Sequence, residues 1–147
     1  MSTKIYLGAD HAGFEFKEKL KYVLKRGKYK FEDLSPFFFD GDDYPDHAFK
    51  VAKRVAREKA LGILICGSGA GMAIAANKIR GIRAVESSDV FTAVSSKTDD
   101  DTNVLCLRAR KIDFNAVSKI ASAWLKARFK NHLPYTRRVK KIERHGK

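Results

Sequence analysis

Five short apolar runs, each followed by a stretch of helical periodicity, constrain this chain more than any other feature. Lys4 to Gly8 reads KIYLG, a β-type run, and in Phe14 to Arg26 the apolar residues Phe16, Leu20, Val23 and Leu24 recur at helical spacing before Gly27. Lys30 to Leu34 is a second, weaker strand. Asp46 to Lys59 carries Phe49, Ala52, Val55 and Ala56 on one stripe, and Leu61 to Cys66 (LGILIC) has the continuous apolarity of a fully buried strand. A helix opens near Ala70. Ile82 to Val85 and Thr102 to Leu107 are the fourth and fifth strands, with a helix over Asp89 to Lys97 between them. Asp113 is placed to cap a last amphipathic helix through Trp124. Strict β/α alternation predicts a three-layer, doubly wound, Rossmann-like α/β fold around a five-stranded parallel sheet, with expected order 2-1-3-4-5.

The size agrees with one domain over residues 1–147. At 44% hydrophobic residues with 10 Phe, 5 Tyr and 1 Trp, the chain can bury a real core, which excludes general disorder. No apolar run reaches membrane-spanning length, and charges interrupt the first twenty residues before a secretory h-region could form, so a cytoplasmic location is expected. Cys66 and Cys106 have neither zinc-site spacing nor the number for a disulfide framework, so each is expected as a free thiol. The formal charge of +13 favours anionic partners without choosing among them. Much of it lies between Lys126 and Lys147, where Glu143 is the single acid, and residues 129–147 read as a basic, helical tail.

In an open parallel sheet, ligands bind beyond the carboxyl ends of the strands where the strand order reverses, here between the first and third strands. The two loops that meet there are Gly8-Ala9-Asp10-His11-Ala12-Gly13 and Cys66-Gly67-Ser68-Gly69-Ala70-Gly71. The second sets a thiol beside a glycine-rich turn whose N–H groups can hold an oxyanion or phosphate, a setting that makes Cys66 a candidate base or nucleophile. Its plainer reading is a small, buried strand residue. Asp10 could equally cap a helix and His11 be solvated, while Cys106 reads as core. The loop Ser35 to Pro45 (SPFFFDGDDYP) holds three consecutive Phe that suit a subunit interface or pocket wall.

A dinucleotide reading is weak. The glycines are spaced G-x-G-x-G and follow the third strand, although Glu86 lies near the distance expected of a ribose-binding acid. The basic tail raises nucleic-acid binding, but no recognition motif accompanies it. Neither nucleic acid nor membrane is an expected partner.

Four segments, GADHAG (Gly8 to Gly13), DYPD (Asp43 to Asp46), GILICGSGAGMAIAANKIRGIRA (Gly62 to Ala84) and DTNVL (Asp101 to Leu105), together resemble the type B ribose-5-phosphate isomerase and galactose-6-phosphate isomerase family. The resemblance implies a metal-independent aldose-ketose isomerase without cofactor, a homodimer or tetramer whose pockets are shared between subunits. It implies Cys66 as the base moving a proton between C2 and C1, Gly67, Ser68, Gly69, Ala70 and Gly71 as the loop around the enediolate, and Ser68 as a proton shuttle. Asp10, His11, Tyr44 and Asn103 match substrate-binding positions, and Arg110, Arg137 and Arg138 phosphate-binding ones.

Two positions depart from the family pattern. Asp99 and Asp100 stand where His-Asn is usual, so Asp99 is expected in the ring-opening role, its pKa open to being raised by two neighbouring carboxyls. Pro134 replaces the first Arg of the C-terminal phosphate motif while Arg138 keeps the second. A hexose 6-phosphate substrate, or a non-catalytic sugar-phosphate-binding subunit, are the alternatives to ribose 5-phosphate.

Overall fold

The structure, a computed structural model, describes residues 3–146; Met1, Ser2 and Lys147, which the single-domain and tail expectations include, lie outside them. The sheet is built from β1 (Ile5–Ala9), β2 (Phe31–Asp33), β3 (Leu61–Cys66), β4 (Ala84–Glu86) and β5 (Val104–Arg108). The helices are α1 (Phe14–Arg26), α2 (Tyr44–Glu58), α3 (Ala70–Ala76), α4 (Val90–Asp100), α5 (Phe114–Lys126) and α6 (Tyr135–Arg144). All pairings are parallel.

The fold class is the one the β/α alternation predicts, but the last two strands are exchanged: the order is β2-β1-β3-β5-β4. Burial explains the exchange. The first four residues of β5 are fully buried, which requires a strand on either side and a helix layer on each face. The three residues of β4 are only half-buried, as suits an edge. The reversal point between β1 and β3 is unaffected.

Side chains alternate along the strands, so the sheet sends two cores outward. Ile5, Leu7, Ile63, Ile65, Leu105 and Leu107 pack with Leu20 and Leu24 of α1, Ala93 of α4, and Val117, Ile120 and Trp124 of α5. Tyr6, Leu64, Cys66, Val104 and Cys106 pack with Val51 and Val55 of α2 and Met72 and Ala76 of α3. Trp124 is fully buried and its indole N–H donates to Thr102 Oγ1 at 3.0 Å, which satisfies the one polar atom that burial would otherwise penalise. Gly13 is needed where α1 crosses β3, because a Cβ would lie 2.2 Å from the Ile65 carbonyl oxygen.

Asp113 caps α5 as expected, accepting the Ala116 N–H at 2.9 Å. The tail forms α6, which buries no residue and is tied to the body by Glu143, whose carboxylate accepts from Arg83. Among the described residues, no helix is long and apolar enough to cross a membrane.

Candidate active site

The carboxyl ends of β1, β3 and β5 open onto a cleft of about 490 Å³. Parallel strands set their ends side by side, so the short loops leaving them converge once the strands have paired. From β1 come Asp10, His11 and Ala12; from β3, Cys66, Gly67, Ser68 and Gly71; from the start of α2, Tyr44. The end of β5 adds Arg108, Arg110 and Lys111.

The exchanged strand order puts those cations here. With β5 directly against β3, Arg108 pairs with Cys66 in register, the Ala109 N–H donates to the Cys66 carbonyl at 2.9 Å, and the Arg110 N–H donates to the Gly67 carbonyl at 3.1 Å. Arg110 then lies over Gly67 so closely that a Cβ there would sit 2.9 Å from a guanidinium nitrogen. Arg108 and Lys111 were not legible as site residues while β4 was expected between β3 and β5. Three cations lining one small cleft favour an anionic group there.

Cys66 ends β3 with 4% of its surface exposed. The Gly69 N–H donates to its Sγ at 3.1 Å, and the Ala70 N–H donates to Ser68 Oγ at 3.2 Å. Gly69 turns the chain with φ of 79°, a conformation that favours glycine, and a Cβ there would also press on the Leu107 backbone at 3.1 Å. Cys106 is core: it is fully buried, and burial pushes its thiol well above the usual range.

Asp10 serves the turn as well as the cleft. One of its oxygens accepts the N–H groups of Ala12 at 3.0 Å and Gly13 at 3.1 Å. His11 is held by Asp42, whose Oδ1 accepts both the His11 backbone N–H at 2.8 Å and its ring Nδ1–H at 3.0 Å. That hydrogen bond raises the His11 pKa above the ordinary histidine value, with the Asp10 charge adding to it. Asp42 and its second imidazole partner, His47 at 2.7 Å, were missed in the sequence. The signal was the acidic pair before Tyr44, read only as loop. Asp10, His11 and Asp42 bring one potential metal-ligand atom each within 4.8 Å of one another, but the Asp42 oxygen and His11 nitrogen facing each other already share a proton, as befits a hydrogen-bonded cluster.

Four expected site residues are elsewhere. Asp99 is the penultimate residue of α4 and Asn103 precedes β5, both at the amino edge of the sheet, roughly 15 Å from the cleft by the length of a five-residue strand. The Asn103 side chain bonds to backbone, accepting the Arg83 N–H at 2.8 Å and donating to the Gly81 carbonyl at 2.9 Å, so within this chain it braces the β4 entry. Asp99 pairs with Lys130 at 2.9 Å, and this bond holds its carboxyl below the usual carboxylate range. The carboxyl raised in this run is that of Asp101, by burial. Arg137 and Arg138 project from α6, with the charge of Arg138 felt at Asp99. Within one chain, none of these four reaches Cys66, because α4 and α6 end on the wrong side of the sheet.

Residues 5–142 match the family model described as Ribose/Galactose Isomerase. The chain is 41% identical over 150 residues to a probable ribose-5-phosphate isomerase B of Mycoplasma genitalium, covering 100% of this chain and 98% of that one. It is 41% identical over 128 residues to ribose-5-phosphate isomerase B of Escherichia coli, covering 86% and 85%. The crystal structure of ribose-5-phosphate isomerase B from Mycoplasma genitalium with bound ribulose-5-phosphate superimposes with a TM-score of 0.93 at 39% identity, over 98% of this chain and 96% of that one. Fold, cleft and sequence therefore agree, and this chain belongs to the ribose/galactose isomerase family.

Proposed function

We propose that this protein interconverts ribose 5-phosphate and ribulose 5-phosphate through an enediolate, with Cys66 as the base. The observation that carries the reading is the cleft itself, which gathers a thiol in a glycine turn and the cations Arg108, Arg110 and Lys111 around one cavity. The thiolate of Cys66 removes the C2 proton of the open-chain aldose, and the electron pair moves through the C1–C2 bond to O1. Backbone N–H groups of the Gly67 to Gly71 turn meet the developing oxyanion. Ser68 carries the hydroxyl proton from O2 to O1. The Cys66 thiol then returns its proton to C1, leaving the ketone at C2 with no net change in atoms or electrons. Arg110 and the neighbouring cations hold the phosphate, while Asp10, His11 and Tyr44 line the sugar.

The functional unit in this reading is a homodimer with shared pockets. Phe37, Phe38 and Phe39 are 71%, 54% and 62% exposed in one chain, an apolar surface that a second subunit would cover. A second subunit would also bring its own Asp99, Arg137 and Arg138 to the cleft. Kept ionised beside Lys130, Asp99 would accept the anomeric hydroxyl proton as the C1–O4 bond of the furanose breaks, and pass it to O4. The whole chain acts as one domain, in the cytoplasm. NMR observation of ribose 5-phosphate and a hexose 6-phosphate incubated with the protein tests the substrate. The reading expects ketose to appear from the pentose, and conversion of the hexose alone would overturn it.

A further inference from the structure

His47 has no part in the chemistry above and does not line the cleft, yet both of its ring nitrogens are committed. It lies in the first turn of α2 with its side chain 12% exposed. Nε2 is 2.7 Å from Oδ2 of Asp42, and Nδ1 is 2.7 Å from Oγ of Ser35. Ser35 is 3% exposed; its Oγ accepts the Ala9 N–H at 3.2 Å, and its own N–H is held by Asp33 at 2.8 Å.

The protons of this chain can be placed one by one. The Asp42 carboxylate can only accept, so Nε2 of His47 carries a proton and donates it to Oδ2. In the neutral His47 ring Nδ1 is then an acceptor, and the Ser35 hydroxyl donates to it. With Oδ2 tied to one imidazole, rotation of the Asp42 carboxylate would break that bond, which favours keeping Oδ1 aimed at the backbone N–H and Nδ1 of His11. The neutral form of His11 is thereby held with its proton on Nδ1, which leaves Nε2 as its free ring nitrogen.

We infer that His47 is a positioning residue: acting through Asp42, it fixes the tautomer and orientation of His11 at the substrate. The effect on substrate affinity rests on the sugar-phosphate reading above, whereas the effect on the tautomer does not, so the two can fail separately. The experiment is long-range ¹H–¹⁵N NMR of the imidazoles, with steady-state kinetics on ribose 5-phosphate, in the wild type, His47→Phe and His47→Gln. The Gln side chain keeps an N–H near the position of Nε2 and so retains the bond to Asp42.

In the wild type, at a pH above the His11 pKa, His11 is expected in the Nδ1–H form. In His47→Phe the Nε2–H form becomes populated and KM rises roughly fivefold to tenfold, with kcat within about twofold. His47→Gln restores both. If Phe does not give folded protein, His47→Leu takes its place. An unaltered His11 tautomer in the folded apolar variant would overturn the inference, as would a fall in kcat at constant KM, the pattern of a smaller active fraction. Should the protein not turn over ribose 5-phosphate at all, the NMR result still decides the positioning claim.

Discussion

The phenol ring of Tyr44 lies against the α-carbon of Gly71, so close that a Cβ at position 71 would meet two ring atoms at 2.6 Å and the hydroxyl oxygen at 2.9 Å. Gly71 is the second residue of α3 and its backbone needs no left-handed conformation, so alanine suits the helix better than glycine by about 0.5 to 1 kcal/mol. The Gly71→Ala variant should keep or slightly raise its melting temperature, because the half-exposed Tyr44 can swing outward. Displacing Tyr44 from the sugar should nevertheless lower kcat/KM by roughly tenfold. Calorimetry and kinetics on the same sample check the opposed signs.

Asp42 supplies the largest cause of the raised His11 pKa. Protonated His11 attracts an anionic substrate; the charge is present below the raised pKa and is lost as pH rises through it. KM should therefore increase on the alkaline side of that value. Asp42→Asn removes the carboxylate, and the same increase should begin at lower pH. KM measured across the neutral range in both proteins tests this, and coincident profiles would contradict it.

A third prediction concerns stability. Lys17 is fully buried, and its ammonium is compensated by Asp33 and Glu18. Asp33 is desolvated, but Lys17 and Lys21 outweigh that and hold its pKa below the ordinary value. A depressed carboxylate pKa gives stability that is present above the unfolded-state value and lost as pH falls through the folded one. Asp33→Asn should cost about 1 to 3 kcal/mol at neutral pH, since it leaves the buried Lys17 ammonium with Glu18 as its remaining carboxylate, and should flatten the acid limb of the stability profile. Urea unfolding at several pH values measures both.

The sequence made the layers, the β1/β3 reversal point and the glycine turn legible because each depends on local pattern: apolar periodicity, β/α alternation and glycine spacing. The order of β4 and β5 was not, because it depends on which of two short apolar runs is buried more deeply after packing. That one exchange hid Arg108, which pairs in register with Cys66, and Lys111, which follows it into the same cleft. Asp42 and His47 were hidden for another reason. They act through bonds to Ser35 and His11, residues 12 and 31 positions away respectively, and no spacing rule links them.

The separation of Asp99 from Cys66 within one chain gives a test of pocket sharing. If a dimer completes each site with the partner's Asp99, then Cys66→Ala and Asp99→Asn, each impaired alone, should complement when co-refolded. Random pairing makes half the dimers mixed, each with one intact site, so activity should recover to roughly a quarter of the wild-type value. No recovery in demonstrably mixed dimers would place each site wholly within one chain.

The central claim is that Cys66 moves the proton. Incubating the protein with ribose 5-phosphate in D₂O and following the loss of the C2 proton signal by NMR reads that step without any coupled reaction. Wild-type protein should exchange C2 hydrogen with solvent as ribulose 5-phosphate forms. Folded Cys66→Ala, a small change at a strand end, should show neither exchange nor product. Exchange at the wild-type rate in that variant would contradict the account.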